Sequence, residues 1–131
     1  MRVKEPEDKE SIEPGNVYLA SRDYHLLIET GSFALSTDSP VAYARPSIDV
    51  LFESAAYAYR ERLLGIVLTG ANADGADGLA RIRSFGGRAW VQEPDTAVAS
   101  MMPSSAIERA GADLILSVQD MAAELGAIQA V

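Results

Sequence analysis

The chain has 131 residues, 48% hydrophobic and 23% charged, which fits one compact domain with a core of ordinary size. Its formal net charge of −8 argues against nucleic-acid binding, because such binding depends on Lys and Arg side chains that neutralise phosphates. The absence of cysteine, of a signal-like N-terminus and of a membrane-length apolar run predicts a cytoplasmic protein that does not insert into membranes.

The first 40 residues have the pattern of short strands joined by turns. Three runs rich in strand-forming residues are Val17–Ala20, His25–Ile28 and Phe33–Leu35. Turns of a few polar and glycine residues separate them, which is typical of antiparallel neighbours. We therefore predict an antiparallel β-meander over residues 1–40.

From residue 44 onward the sequence alternates between helical and strand patterns. Apolar residues recur at helical spacing over Ile48–Tyr59, and Pro46 suits the first turn of that helix because its missing N–H is not needed there. The continuous apolar run Leu63–Leu68 predicts a strand that is covered on both faces. A second helix is predicted over about Gly75–Phe85.

The remaining pattern completes an α/β arrangement. Arg88–Gln92 and Leu114–Leu116 are predicted strands. Between them, Pro103 is expected to break one short helix and Ser105 to begin another. Strands that alternate with crossovers of a dozen or more residues form a parallel sheet with right-handed connections.

The predicted fold class is therefore α/β, with a doubly wound, mainly parallel sheet in a Rossmann-like three-layer arrangement. The β-meander over 1–40 is attached near the N-terminus, and residues 44–131 form the alternating part. Both parts belong to one domain over residues 1–131, because no linker or low-complexity segment separates them.

The loop TGANADGADG, residues 69–78, follows the most apolar predicted strand and contains Asp74. In open α/β sheets, ligands bind beyond the carboxyl ends of the strands, so Asp74 is a candidate catalytic carboxylate. Asp is also among the commonest helix N-caps, and on spacing alone a cap of the following helix is favoured. The loop is neither a dinucleotide fingerprint nor a P-loop, and Arg81 occupies the position where a calcium loop requires a carboxylate.

His25 is the only histidine in the sequence. Its place in a short predicted strand, far in sequence from Asp74, favours a partly exposed structural histidine over a catalytic base. With one histidine and no cysteine, a zinc site is not expected. No serine lies between glycines at a strand-to-helix turn, so a nucleophile elbow is absent from the sequence.

Four segments, taken in order, closely resemble the catalytic domain of the chemotaxis protein-glutamate methylesterases, the CheB family. The segments are VKEPEDKESIEPGNVYLASRDYHLLIE, RPSIDVLFESAA, GIVLTGANADGADGLARIRSFGG and VQEPDTAVASMMPSSAI. The resemblance runs from residue 3 to the C-terminus and is strongest to family members in which no receiver domain precedes the esterase domain.

The resemblance implies hydrolysis of glutamate methyl esters, and deamidation of certain glutamines, on chemoreceptor cytoplasmic domains by a Ser-His-Asp triad. It implies no cofactor and no metal. Asp74 matches the aspartate of the family pattern TGxxxDGAxG, whose role is to orient the histidine and to stabilise the imidazolium. This role is compatible with a helix cap.

The other two triad members have no counterpart in the sequence. In the family, the serine lies in a glycine-rich turn after the first strand and the histidine in a His-x-Pro segment after the second. Neither motif occurs among these residues, and His25 aligns with a different family histidine. The resemblance therefore implies a partial catalytic domain that lacks its opening section and is inactive alone.

The family layout also suggests residues that border the active-site cleft. Many members have Met-Gly where this sequence has Ala71 and Asn72, which changes the local lining of the pocket. We predict that Asn72, Met102, Arg45 and Ser47 contribute to substrate binding around Asp74.

The expected partners are methylated chemoreceptor cytoplasmic domains, together with a receptor methyltransferase or a receiver domain of the same pathway. Because the strand Leu63–Leu68 needs cover on both faces, self-association is also expected. A different class of function stays open, namely a non-catalytic α/β interaction module or pseudoenzyme in chemosensory signalling.

Overall fold

The computed structural model describes residues 1–128, which contain seven strands and four α-helices. The strands are β1 (Arg2–Lys4), β2 (Asn16–Tyr18), β3 (His25–Glu29), β4 (Ser32–Ser36), β5 (Leu64–Val67), β6 (Arg88–Gln92) and β7 (Leu114–Leu116). The helices are α1 (Ile48–Tyr59), α2 (Ala76–Ser84), α3 (Met101–Ala110) and α4 (Val118–Ala127). Short 3-10 helices cover Arg60–Arg62 and Pro94–Thr96. Within residues 1–128, no helix combines the length and the apolar character that crossing a membrane requires.

The C-terminal part is a parallel sheet with strand order β5-β6-β7, in which Ile66 lies opposite Trp90 and Val91 opposite Ile115. Helix α2 connects β5 to β6, and α3 connects β6 to β7. The predicted α/β class with a mainly parallel sheet is confirmed. Helix α1 and strand β6 have the bounds that the sequence predicted. Local apolar periodicity was therefore sufficient to predict these elements.

The N-terminal part differs from the predicted meander. Strands β3 and β4 form an antiparallel hairpin, with Gly31 at φ 81° in its turn. Strand β2, however, pairs in parallel with β1, a strand that the sequence analysis did not predict. The backbone of Lys9 and Ile12 donates to the carbonyls of Phe33 and Gly31, so this segment lies along the β4 edge of the hairpin, and β2 does not pair with β3 as the meander required.

The hydrophobic core is formed by the parallel sheet and helices α1, α2 and α3. Its buried members are Ala56, Val67, Leu79, Ile82, Ala89, Val91 and Ala106. A side chain at Gly65 would place its Cβ 2.6 Å from Ile82 Cδ1, so α2 packs closely on β5. Burying Leu79 and Ile82 stabilises the fold by about 1.5–3 kcal/mol each. This packing fixes the position of α2 and therefore of the loop that precedes it.

Strand β5 is less covered than the apolar run predicted. Gly65 and Val67 are buried, whereas Leu64 and Ile66 on the opposite face are only partly buried. Within residues 1–128, β5 pairs with β6 alone and forms the edge of its sheet. Leu68, which was predicted to belong to the strand, lies beyond its end and is 43% exposed.

Two prolines occupy positions other than those predicted. Pro46 lies before Ser47, the N-cap of α1, and therefore outside the first turn of the helix. Pro103 does not end a helix but lies in the first turn of α3, where its missing N–H costs no hydrogen bond. Ser105 is consequently a residue within α3 and not the start of a separate helix.

Candidate active site

Asp74 lies in the loop between β5 and α2, but its carboxylate caps α1. Its Oδ2 atom accepts a hydrogen bond from the Ile48 N–H at 2.8 Å. Its Oδ1 atom accepts from the Asp49 N–H at 3.0 Å and from the Ser47 hydroxyl at 3.0 Å. The prediction that Asp74 caps the following helix is therefore wrong, because the N-cap of α2 is Gly75. The carboxylate satisfies N–H groups that would otherwise be unpaired at the start of α1.

Asp49 performs the reciprocal task for α2. This residue lies in the first turn of α1, and its Oδ1 atom accepts from the Gly75 N–H at 3.0 Å and from the Gly78 N–H at 2.7 Å. The side chain at the start of each helix thus caps the other helix. We call this reciprocal arrangement of Asp49 and Asp74 the cross-cap.

The glycines of the loop permit the cross-cap. Gly75 has φ 103°, a left-handed conformation that residues with a Cβ rarely adopt. A Cβ at Gly78 would lie 2.6 Å from Phe52 Cβ and 3.1 Å from the Asp49 Cα atom. Because Gly78 lacks a side chain, α1 and α2 approach closely enough for each aspartate to reach the other helix.

The surroundings of Asp74 suit a hydrogen-bond acceptor. The first N–H groups of a helix carry the positive end of its dipole, which stabilises a negative charge. A carboxylate offers about four lone-pair positions, and within residues 1–128 three donors bind this one. One acceptor position is therefore available for a further N–H group, such as that of an imidazole.

Asp49 has a different electrostatic environment from that of an exposed aspartate. Burial raises the pKa of Asp49, and the nearby carboxylates of Asp74 and Asp77 raise this pKa further. The hydrogen bonds from Gly78 and Gly75 lower the pKa and offset part of that effect. Its charged form is consequently held in the fold against a desolvation penalty.

His25 contacts the N-terminus of α1, where the Asp74 carboxylate is bound. The side chain is buried, with 2% exposure, which contradicts the prediction of a partly exposed position. Its Nδ1 atom accepts from the Ser47 N–H at 3.2 Å, and its Nε2 atom lies 3.0 Å from the Ser39 carbonyl oxygen. This pairing places the ring hydrogen on Nε2 and engages both nitrogens. The buried ring of His25 therefore fixes the backbone of Ser47, the N-cap residue of α1.

Two of the predicted cleft residues lie beside Asp74. The Ser47 hydroxyl donates to its carboxylate, and the Asn72 side-chain oxygen accepts from the Asp74 N–H at 2.9 Å. The other two point elsewhere. Met102 packs against Gly70 and contacts the hydrophobic core, and the Arg45 guanidinium donates to backbone carbonyls of the loop at residues 37 and 38.

Asp74 faces an open cleft with a volume of about 260 Å³. The residues that line this cleft are Val41, Ala42, Asp49, Asn72, Ala73, Asp74 and Asp77. No group of three His, Cys, Asp or Glu side chains within residues 1–128 is placed to hold a metal ion. The polar side chains of the lining are three carboxylates and the carboxamide of Asn72.

A tight turn over residues 41–44 forms one wall of the cleft. The backbones of Val41 and Ala44 exchange two hydrogen bonds of 2.9 and 2.8 Å. The two central residues, Ala42 and Tyr43, have φ of 48° and 67°, which glycine or asparagine adopts more readily. The Tyr43 side chain at the tip is fully exposed.

Comparison with known proteins identifies the family. Residues 1–125 match the family model described as CheB methylesterase. The chain belongs to the CheB methylesterase family. The resemblance that was inferred from four sequence segments is thereby confirmed.

Relatives agree with this assignment but are longer. A Leptospira interrogans protein is 50% identical over 123 residues, which are 93% of this chain and 64% of that protein. The protein-glutamate methylesterase/protein-glutamine glutaminase of Maricaulis maris is 43% identical over 122 residues, 90% of this chain and 30% of that protein. The chain thus spans less than two thirds of the length of either relative.

The fold also agrees with a solved structure of the family. The crystal structure of the Thermotoga maritima CheB methylesterase catalytic domain superposes with a TM-score of 0.86 and 32% sequence identity. The match covers 92% of this chain and 66% of that domain. The arrangement of β5, β6 and β7 with their helices is therefore the CheB α/β fold.

Two residues of the site escaped the sequence analysis. Asp49 was not singled out from the sequence, and His25 was interpreted only as a structural strand histidine. The signal that could have found Asp49 is the presence of an aspartate at the start of both neighbouring helices. For His25 no local signal exists, because its partners lie 14 and 22 residues away.

Proposed function

We propose that this chain is part of a protein-glutamate methylesterase that acts on chemoreceptors, with Asp74 as the aspartate of a Ser-His-Asp triad. The observation that carries the proposal is the carboxylate of Asp74. Three donors hold it at the carboxyl end of a parallel strand, facing an open cleft. The name of the Maricaulis maris relative supports the reaction, which is ester hydrolysis and glutamine deamidation.

In this proposal Asp74 accepts a hydrogen bond from the triad histidine. The bond selects the tautomer whose other nitrogen takes the serine proton as the hydroxyl attacks the ester carbonyl. Once the histidine is protonated, the negative charge of Asp74 stabilises the imidazolium. The donors from α1 fix the carboxylate before the reaction begins, so little reorganisation is needed in the transition state.

The serine and histidine of the triad are supplied from outside these 131 residues. Both ring nitrogens of His25 are engaged, and this buried ring binds the N-cap of α1. The 131-residue chain alone is therefore expected to be inactive as an esterase. Ester hydrolysis above the buffer rate that disappears with Asp74→Asn would contradict this part of the proposal.

The expected substrate is the methylated cytoplasmic domain of a chemoreceptor, encountered in the cytoplasm, within a pathway that includes a receptor methyltransferase or a receiver domain. The chain is also expected to self-associate. The outer edge of β5 is unpaired within residues 1–128, and unpaired strand edges attract other strands. Analytical ultracentrifugation that finds only monomer over a wide concentration range would contradict self-association.

The reaction is tested in the longest natural protein that contains these residues, by measuring methanol release from a methylated receptor fragment. Asp74→Asn should lower kcat by as much as about 10⁴-fold, because the histidine loses its orienting charge. Asp120→Asn is the matched control, since Asp120 is an exposed aspartate in the first turn of α4 and does not line the cleft. A rate for Asp74→Asn close to that of the control would remove Asp74 from the triad.

The same assay distinguishes the methylesterase from the alternative function, a non-catalytic interaction module or pseudoenzyme. A non-catalytic interaction module would bind the receptor fragment but release no methanol in the unmodified protein. Binding without turnover would therefore favour the pseudoenzyme. Turnover that depends on Asp74 would exclude the pseudoenzyme.

A further inference from the structure

The loop that carries Asp74 is held at its two ends by different parts of the molecule. At its start, the Thr69 N–H donates to the Gln92 side chain, and the backbone of Gly70 bonds to Ala99 and Met102. These contacts end four residues before Asp74. The position of Asp74 itself therefore depends on the second half of the loop.

In that second half, the contacts with other elements come from the cross-cap. The Gly75 N–H belongs to the peptide group that follows Asp74, and it donates to Asp49 Oδ1 at 3.0 Å. Asp49 thus fixes the plane of the peptide bond that leaves Asp74. The backbone that carries Asp74 is therefore tied to the first turn of α1 by its own N–H donor.

The pair is reciprocal at the level of single atoms. The Asp49 backbone N–H binds the Asp74 side chain at 3.0 Å, and the Asp49 side chain binds the backbone that follows Asp74. Two residues that are 25 positions apart are therefore joined by a closed pair of hydrogen bonds. A closed pair restricts the carboxylate more strongly than one bond does, because neither residue can rotate alone.

The acceptor geometry of Asp49 can be separated from its charge. Both bonds to α2 end on the same atom, Oδ1, and an asparagine side chain also carries a carbonyl oxygen there. Glutamate would keep the charge but move the oxygen by one methylene. The chain therefore offers two substitutions that change one property each.

We propose that Asp49 is a positioning residue for Asp74, acting through the acceptor bonds from its Oδ1 atom to the N–H groups of Gly75 and Gly78. The consequence of Asp49 for catalysis rests on the proposed function. The effect of Asp49 on the position of the Asp74 carboxylate can be measured without catalysis. A displacement of about 1 Å in a catalytic group can cost about 10²-fold in rate. Asp49→Ala is thus expected to lower kcat by up to that factor.

The first test measures amide hydrogen exchange by NMR in the 131-residue chain. The reporter is the Ile48 N–H, which binds Asp74 Oδ2 and does not contact the Asp49 side chain. Asp49→Ala should lower its protection about ten-fold, because the Asp74 bond is loosened. Asp49→Asn should keep protection close to wild type, and Asp49→Glu should lower it. Asp77→Ala is the control for removing a nearby charge.

Two results of this test would overturn the proposal. Unchanged Ile48 protection in Asp49→Ala, with loss only at Gly75 and Gly78, would reduce Asp49 to a cap of α2. Wild-type protection in Asp49→Glu together with loss in Asp49→Asn would show that the charge matters and the acceptor position does not. If Asp49→Ala does not fold, the comparison of the Asn and Glu variants decides alone.

The second test measures methanol release in the longest natural protein that contains these residues. Asp49→Ala and Asp49→Glu should lower kcat with little change in KM, and Asp49→Asn should retain most of the rate. Equal losses in the Asn and Glu variants would contradict a positioning role. If the unmodified protein releases no methanol, the proposed function fails, while the exchange measurement still decides whether Asp49 positions Asp74.

Discussion

Replacing Asp74 by asparagine in the 131-residue chain should destabilise the fold by removing part of the α1 cap. The carboxylate accepts three hydrogen bonds on two oxygens, from Ser47, Ile48 and Asp49. Asparagine has one oxygen, and its NH₂ group donates instead of accepting. The variant therefore cannot satisfy all three donors.

Each orientation of the new amide leaves one backbone donor without its partner. With the carbonyl at the Oδ1 position, the bonds from Ser47 and Asp49 remain, but the NH₂ group faces the Ile48 N–H. In the flipped orientation the Ile48 bond remains and the NH₂ group can donate to the Ser47 hydroxyl. The Asp49 N–H then loses its acceptor.

The cost follows from one lost backbone partner and one lost charge. An unsatisfied buried donor costs about 1–3 kcal/mol, and the loss of a charge at a helix N-terminus costs about 0.3–1 kcal/mol. Asp74 is partly exposed, so water replaces some of the lost bonding, and removing its charge also relieves the repulsion that acts on Asp49. Both effects favour the lower half of the range, about 2 kcal/mol in total.

The assay is thermal unfolding followed by circular dichroism at pH 7. For a domain of this size, about 2 kcal/mol corresponds to a decrease in Tm of about 6–10 °C. Asp77→Asn is the control, because an exposed ion pair contributes at most about 1 kcal/mol. A Tm for Asp74→Asn within about 1 °C of wild type would show that this carboxylate does not cap α1.

Three further predictions concern the same region. The folded-state pKa of Asp49 is raised, so its contribution to stability is fully present below the unfolded-state pKa and is lost as pH rises through the folded-state value. Asp49→Asn should therefore gain stability relative to wild type as pH rises from about 4 to about 7 in urea titrations, and a constant difference would contradict this. Gly78→Ala should destabilise the chain by about 1–3 kcal/mol through its contacts with α1, although alanine favours helices by about 1 kcal/mol. Gly126→Ala is the control, because its Cβ would have no neighbour within 4 Å among the described residues, and equal effects at both glycines would refute the close approach of the helices. Tyr43→Gly should raise stability by about 1 kcal/mol by relieving a positive φ, and a lower Tm would show that the tyrosine side chain stabilises the turn.

Local patterns were sufficient to predict most of the α/β part. The bounds of α1 and β6 agree with the sequence because helical periodicity and turn residues are encoded within a dozen positions. Pairing between distant segments was not predicted. Strand β2 binds β1 across more than ten intervening residues, and no pattern in either three-residue strand identifies its partner.

The direction of the Asp74 side chain was also not predicted, because it depends on a contact with a segment that is distant in sequence. Its position just before a predicted helix favoured a cap of α2, since spacing alone reports the nearest helix. The left-handed conformation of Gly75 begins α2 one residue later, and Asp74 then reaches the neighbouring helix. The family resemblance predicted a triad role for Asp74, which stays a prediction, and gave no indication that Ile48 and Asp49 donate to its carboxylate.

The cross-cap makes stability and the proposed chemistry depend on the same bonds. The donors that Asp74 satisfies at α1 are the ones that hold its carboxylate toward the cleft. Any substitution of Asp74 therefore changes the fold and the proposed triad together, and a lost rate alone cannot separate these causes. Substitutions of Asp49 separate the effect on the fold from the effect on the proposed triad. Asp49→Asn keeps the hydrogen-bond acceptor, and Asp49→Glu keeps the charge. If the rate follows the acceptor at position 49 while Asp74 is unchanged, the fold contributes to catalysis by holding Asp74 in place.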